Sequence, residues 1–559
     1  MPNPACSTRV CAGLPRHLLL LVLFALTACA ASAQNDGAEH RSPLQLQAEA
    51  LPAGGTLLLP DSGLTLNDAV KTFYQRRDYA PAWADRDRAR ALQTALQELS
   101  LDGLDPEDYR AGEIRRSLDT EGALDTEAQR TAFELLATHS YLLALTHLAG
   151  GKVDPRRFDP DHNFDARRID PQQSLDLALA GVEDGHPETA FERARPQHPL
   201  YAGLRKAMAS LRDVAAQGGW PKIPEGPTLR PGASDPRVPV LRRRLAASGY
   251  LPKDLDDAAL DNPGFDGELS AALSRYQDEQ YLGADGNLGP ATRAALNVPV
   301  QARIDQLRVN LERARWLLHE VQGDLVVVDI AGYKLHYFQG GEMPAWSTRV
   351  QVGKPYRMTP VFKSAINEIV FNPAWVVPPT IYREDILPKL RHSRAYLAAN
   401  RLHVYDAQWH ELKPDGIDFN NPPPGLRLRQ EAGPGGALGR IKINFPNPYA
   451  VYLHETPHAA LFDRRSRAFS SGCIRVEQPY DLAVRLLNDP ENWDRAAVDA
   501  AVATNTTRVV KLATPVPVLL AYWTVDLHED GRIAFKPDVY GLDEALLKAL
   551  EVPVAGRDE

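Results

Sequence analysis

Apolar residues recur at spacings of three and four from residue 66 to about residue 212, as in 91–99 and 131–148, and this period predicts a run of amphipathic helices. Pro106, Pro155, Pro160 and Pro171 punctuate the run, which carries no evident chemistry; an all-α scaffold over 61–217 is the expectation. Four prolines and four glycines between Gly218 and Ser234 mark 218–234 as a linker. The helical period resumes in 235–298. Val238, Leu241 and Leu245 share a face, and a second helix carries Leu269, Ala272, Leu273 and Tyr276-Gln277. Arg275 and Gln277 are expected at its surface. Gly286, Gly289 and Pro290 form a turn that starts a third helix, since proline suits a first helical position. One more amphipathic helix, 301–319, fills most of a connecting segment, 299–322. Beyond it the period falls to two. Short strands parted by glycine turns are predicted at 325–330, 334–338, 347–352, 365–371, 440–444, 449–453, 508–512 and 519–525, with helices at 477–487 and 495–504. A long insertion, 380–435, interrupts this β-rich region of 323–550, and insertions of that size are usually lids or binding elements.

The first residues alter the picture. Arg9, Arg16 and His17 precede an apolar run from Leu18 to Ala28, followed by small residues, so 1–33 reads as an export signal. The run is short for a membrane span, although it leaves anchoring open. Leu26-Thr27-Ala28-Cys29 resembles a lipoprotein box, which would lipidate Cys29. Residues 34–60 are polar and read as a tether. A net charge of -9 leaves no basic surplus for nucleic acid. Of four cysteines, Cys6, Cys11 and Cys29 fall in the signal, so the folded body keeps one, Cys473. That thiol is either an inert core residue or a working nucleophile.

Its surroundings favour work. Ser470-Ser471-Gly472-Cys473-Ile474-Arg475 precedes a predicted helix near Glu477, so turn N–H groups, a helix end and the Arg475 cation would lower the thiol pKa and hold an oxyanion. His454 closes the strand-like Tyr449–Leu453, where it can serve as base.

These words resemble the L,D-transpeptidase family with its YkuD-type catalytic domain, and more closely its large Gram-negative YcbB-like subgroup. The resemblance rests on Val352-Gly353-Lys354 with Thr359-Pro360-Val361, on Asn372-Pro373-Ala374-Trp375, on Tyr452-Leu453-His454-Glu455-Thr456-Pro457 and on Ser470 to Cys473. Residues 235–298 likewise resemble a three-helix peptidoglycan-binding module. The order of parts implies a multidomain α+β protein: helical scaffold, binding module, then a β-rich catalytic domain with a lid. It implies a periplasmic enzyme forming 3-3 type cross-links between peptidoglycan stem peptides. Cys473 would form a thioester and His454 would be the base. Gly472 and Cys473 N–H groups would hold the oxyanion, with Ser471 and Arg475 supporting the loop and Tyr452 and Trp375 as pocket walls. The family is generally susceptible to carbapenems and needs no cofactor or metal; stem peptides and glycan are the partners. Two departures stand out: Ser471 where many members have histidine, and glycines at 435–439 where the subgroup tends to have asparagine.

Rivals remain to be weighed. The same acyl-enzyme could pass its acyl group to water, as an L,D-carboxypeptidase, or to a protein. His454-Glu455-Thr456-Pro457-His458 also spells a zinc-protease word, which needs both histidines one helical turn apart; Pro457 opposes that helix. Papain-like and sortase-like neighbourhoods are absent, and a pure binding protein would need no Cys–His pair. Arg475 could be a surface cation, Ser471 a turn residue, and Trp375 and Tyr452 core residues.

Overall fold

The computed structural model describes residues 41–52, 65–158, 171–252, 254–320, 323–341, 343–528 and 530–554. The expected signal, with Cys29 in it, lies outside the described residues. The expected tether does not hold throughout. Pro43–Ala50 is a helix that buries Leu44 and Ala48 in the scaffold core, because those two apolar residues stand one turn apart.

The scaffold helices include Leu66–Gln75, Arg86–Glu98, Ala111–Asp119 and Glu127–Gly150, the last opened by a Thr126–Gln129 capping box. Two polar residues that break the apolar stripe inside this core are hydrogen-bonded. Glu134 accepts the Ala82 and Trp83 N–H groups, each at 2.8 Å, while Thr138 bonds the Tyr74 hydroxyl at 2.7 Å.

The next unit packs Arg237–Ala247, Gly267–Glu279 and Pro290–Leu296 around Leu241, Leu245 and Leu273, with one extra turn at Asp257–Leu260. Gln277 is not on its surface. It is 1% exposed, and its amide ties Asp285, Asn287 and Thr292 together while accepting from Gly286 N–H. The glycine turn therefore folds around this side chain.

The connecting helix, Val300–Leu317, departs from the expected amphipathic form: its polar side is buried too. Arg315 bonds Glu312 and the Asp102 carbonyl, Arg313 pairs with Asp543 at 2.6 Å, and Asn310 bonds Thr524. Sandwiched between scaffold and sheet, the helix needs those partners, since a buried cation without one is costly.

The β-rich region forms a nine-stranded sheet that closes through the pairing of Lys334–Phe338 with Trp346–Gly353. Arg508–Ala521 is one long strand, irregular between Lys511 and Val516, rather than the two predicted. Tyr449–Leu453 is not a strand either. Only Leu453–His454 pairs, because Ala450 takes φ 55° and Asn447 holds both the N–H and the carbonyl of Val451 in a turn. The insertion is a small subdomain of its own. Trp375–Val376, Leu402–Tyr405, Glu411–Leu412 and Arg427–Gln430 form a separate four-stranded sheet over Val404, Leu428 and Leu390. Buried Asn372 turns the chain into it with φ 48°, its amide donating to carbonyls of Ala501, Val502 and Thr506.

Candidate active site

Three adjacent strands, Ile474–Val476, Leu453–His454 and Ile441–Asn444, build the site. Their alternate residues Ile474, Leu453, Ile441 and Ile443 point into the core and are fully buried. Side chains of a strand alternate faces, so the opposite face carries the intervening residues. Register sets Arg475 beside His454, and His454 beside Lys442. Gln351 lies on the far side of Arg475. One step along the strands, Cys473 stands next to Tyr452, as the bond from Ile474 N–H to the Tyr452 carbonyl (3.1 Å) requires. A polar row thus lines one face of an apolar sheet, with the lone thiol at its edge.

His454 is 4% exposed. Its Nδ1 lies 2.5 Å from the Glu455 carbonyl, an atom that can only accept, so Nδ1 carries the proton and Nε2 keeps its lone pair. The Leu438 carbonyl adds to this hold. Burial, then the Arg475 charge, pushes the imidazole down to about 3. Leu438 belongs to the glycine run that departs from the subgroup's pattern. Gly439 there has φ 63°, and a Cβ on it would clash with Glu455, so glycine permits the close approach of the loop that carries Leu438.

Cys473 does not precede a helix. A strand follows it and the helix begins only at Pro479, so no helix end lowers its pKa. Burial instead pushes the thiol up; Tyr452 contacts and the Lys442 and Arg475 charges oppose this less strongly. The thiol faces the Ala450 carbonyl at 3.9 Å. Burial thus shifts both Cys473 and His454 towards their neutral forms.

The turn that presents Cys473 is clamped from behind. Thr359 Oγ1 donates to the Gly472 carbonyl (2.8 Å) and accepts from Gly353 N–H (2.9 Å). The Tyr540 hydroxyl donates to the Gly353 carbonyl (2.8 Å) and accepts from Thr359 N–H (3.1 Å). Gly472 has φ 112°, a conformation side chains rarely adopt. Its N–H donates to Ser470 Oγ at 3.1 Å and is not a free oxyanion donor, contrary to expectation. Ser471 is exposed and acts elsewhere: Arg357 Nη1 donates to its Oγ (2.8 Å) while the same guanidinium pairs with Asp385 (2.5 Å) and Glu384 (2.7 Å) of the insertion. Arg475 Nη1 donates to Gln351 Oε1 at 3.2 Å. Trp375 and Tyr452 are half-buried and adjoin each other, with Tyr452 against the thiol.

Lys442, Arg357 and Tyr540 went unmarked in the sequence, and Thr359 was marked only as part of a motif. The sole signal for Lys442 was a cation alternating with isoleucines in Ile441-Lys442-Ile443. The rival zinc word loses its geometry, since His454 ends a strand and exposed His458 follows a turn rather than a helical repeat.

Residues 323–518 match the family described as "L,D-transpeptidase catalytic domain" (YkuD). Residues 234–296 match a "Putative peptidoglycan binding domain", and 68–208 a "Scaffold domain". A curated relative from Haemophilus influenzae, "Putative L,D-transpeptidase", is 36% identical over 244 residues, which are 43% of this chain and 48% of that protein. The chain thus spans about half the length of the curated relative it matches. Among solved structures, an L,D-transpeptidase from Xylanimonas cellulosilytica is 15% identical, with 53% of this chain and 99% of that chain covered at a TM-score of 0.17. One from Mycobacterium smegmatis is 15% identical, with coverages of 35% and 58% and a TM-score of 0.16. Scores that low carry no argument about shape.

Proposed function

We propose that the chain forms 3-3 cross-links between stem peptides through a Cys473 thioester, in the periplasm; the match of 323–518 to the L,D-transpeptidase catalytic-domain family and of 234–296 to a peptidoglycan-binding family supports this reading. The observation that carries this reading is the placing of Cys473, Tyr452, His454 and Arg475 on one face of two paired strands.

His454 Nε2 takes the thiol proton as Sγ attacks the carbonyl of the L-centred residue. The cations Lys442 and Arg475 favour the thiolate and disfavour the imidazolium. An imidazolium born beside them is a strong acid, and it passes its proton to the departing amine at once. Gly472 N–H being engaged, the Cys473 N–H is the turn's oxyanion donor. An acceptor amine then gives its proton to His454 as it displaces the thioester.

Intact-mass spectrometry with a stem-type tetrapeptide tests the reading. The parent should gain the acyl mass and release one amino acid, and Cys473→Ala should do neither while staying folded, since the change removes a single sulfur atom. Full turnover by folded Cys473→Ala would refute the mechanism. Muropeptides made by the parent on isolated sacculi report the 3-3 linkage directly.

A further inference from the structure

Beside His454 stands a cation, Lys442, that has no ion-pair partner among the described residues. It lies on the side away from Arg475. Its Nζ lies over the Tyr452 ring, 4.1 Å from the centroid. Among the described residues no carboxylate pairs with it. Glu368, the acid whose charge reaches it, is itself bonded to Asn444 at 2.7 Å. A half-buried ammonium resting on a ring face keeps its N–H donors open, and a carboxylate is the ligand that satisfies them best.

The order of the strands says which carboxylate. Nucleophile, base and ammonium come from three neighbouring strands in that sequence: Cys473, then His454, then Lys442. When Sγ bonds the acyl carbon, the leaving nitrogen must face His454 to receive its proton. The C-terminal carboxylate of the leaving residue lies one carbon beyond that nitrogen, no more than about 4 Å from the attacked carbon. Acyl carbon, nitrogen and carboxylate therefore run in the same direction as thiol, imidazole and ammonium.

Resting on the reading of Cys473 as acyl-accepting nucleophile, we propose that Lys442 is a specificity-determining residue that binds the free C-terminal carboxylate of the leaving amino acid. Donors cleaved one residue from their end are thereby selected over blocked or extended ones. The step itself balances: the Sγ–C bond forms, the C–N bond breaks, and the thiol proton travels through His454 Nε2 to the leaving nitrogen. A free amino acid departs with its carboxylate intact.

Two tetrapeptides identical except for a C-terminal carboxylate or carboxamide provide the test on the full chain. The parent should form thioester with the carboxylate peptide at about 10- to 100-fold higher kcat/KM, the worth of one charge-assisted hydrogen bond. Lys442→Met should bring the ratio near one by raising KM for the carboxylate peptide, and Lys442→Arg should restore much of it. In Lys442→Met, loss of the ammonium should slow alkylation of Cys473 by neutral iodoacetamide and acylation by the carboxamide peptide by the same modest factor, while acylation by the carboxylate peptide falls further. If that variant slows both peptides equally and alkylation with them, Lys442 serves the thiolate and the proposal falls. Calorimetry of both peptides on Cys473→Ala, with and without Lys442→Met, reads the preference without turnover. Equal binding of the two peptides by Cys473→Ala overturns the proposal. A parent that forms no thioester while Cys473→Ala keeps a Lys442-dependent preference sinks only the transpeptidase reading.

Discussion

Replacing Thr359 by valine keeps the shape of a 1% exposed side chain and removes its hydroxyl. Two buried backbone groups then lose their partner, the Gly472 carbonyl at 2.8 Å and the Gly353 N–H at 2.9 Å. Each unmet group costs roughly 1–3 kcal/mol, so the ceiling is about 6 kcal/mol. Tyr540, which still grips Gly353 and the Thr359 N–H, should hold the loss to about 2–3 kcal/mol. The Cys473 turn is the part set free. A displacement of about 1 Å there lowers acylation by about 100-fold, because the thiol leaves its line of attack. Denaturant unfolding gives the first quantity, and the rate of acylation by a chromogenic β-lactam gives the second. Thr359→Ser, which keeps the hydroxyl, should recover most of both. A valine variant with the parent's unfolding midpoint and acylation rate would refute the claim that this hydroxyl sets the turn.

Two further outcomes follow from charge. With the thiol pushed up by burial and the imidazole held at about 3, alkylation of Cys473 should climb with pH and show no acid-side plateau, which an ion pair formed at rest would produce. His454, whose ordinary value is 6.5, binds a proton more readily unfolded than folded, so stability should be lost as pH falls from about 6.5 towards about 3; in His454→Gln that dependence should flatten, as unfolding midpoints would register. Arg357→Ala cuts the tie between Ser471 and the insertion's Asp385 and Glu384, and should raise KM more than it lowers kcat; limited proteolysis should find 380–435 easier to cut, and unchanged KM and cleavage would count against the tie.

Local pattern was enough to mark the candidate residues. Cys473 is the single cysteine outside the predicted signal, and the words around His454 and Cys473 carry the family resemblance because they encode a turn and a strand end within a short stretch of chain. Helix periods in 66–158, 171–212 and 235–298 were legible because each buries a regular stripe, and the strand 325–329 because its run of apolar residues is buried on both faces. What local pattern cannot carry is partnership across long separations. Val300–Leu317 reads as half-exposed, yet Asp102 and Asp543, far off in sequence, bury its polar side. Residues 449–453 read as a strand until Asn447 turns them. Lys442 looks like any strand lysine, and only the pairing of its strand with Leu453–His454 sets it beside His454. The direction in which the Cys473 thiol pKa moves was likewise decided by the fold. A sequence can place cations near a thiol, but the burial that raises its pKa depends on every element packed around it.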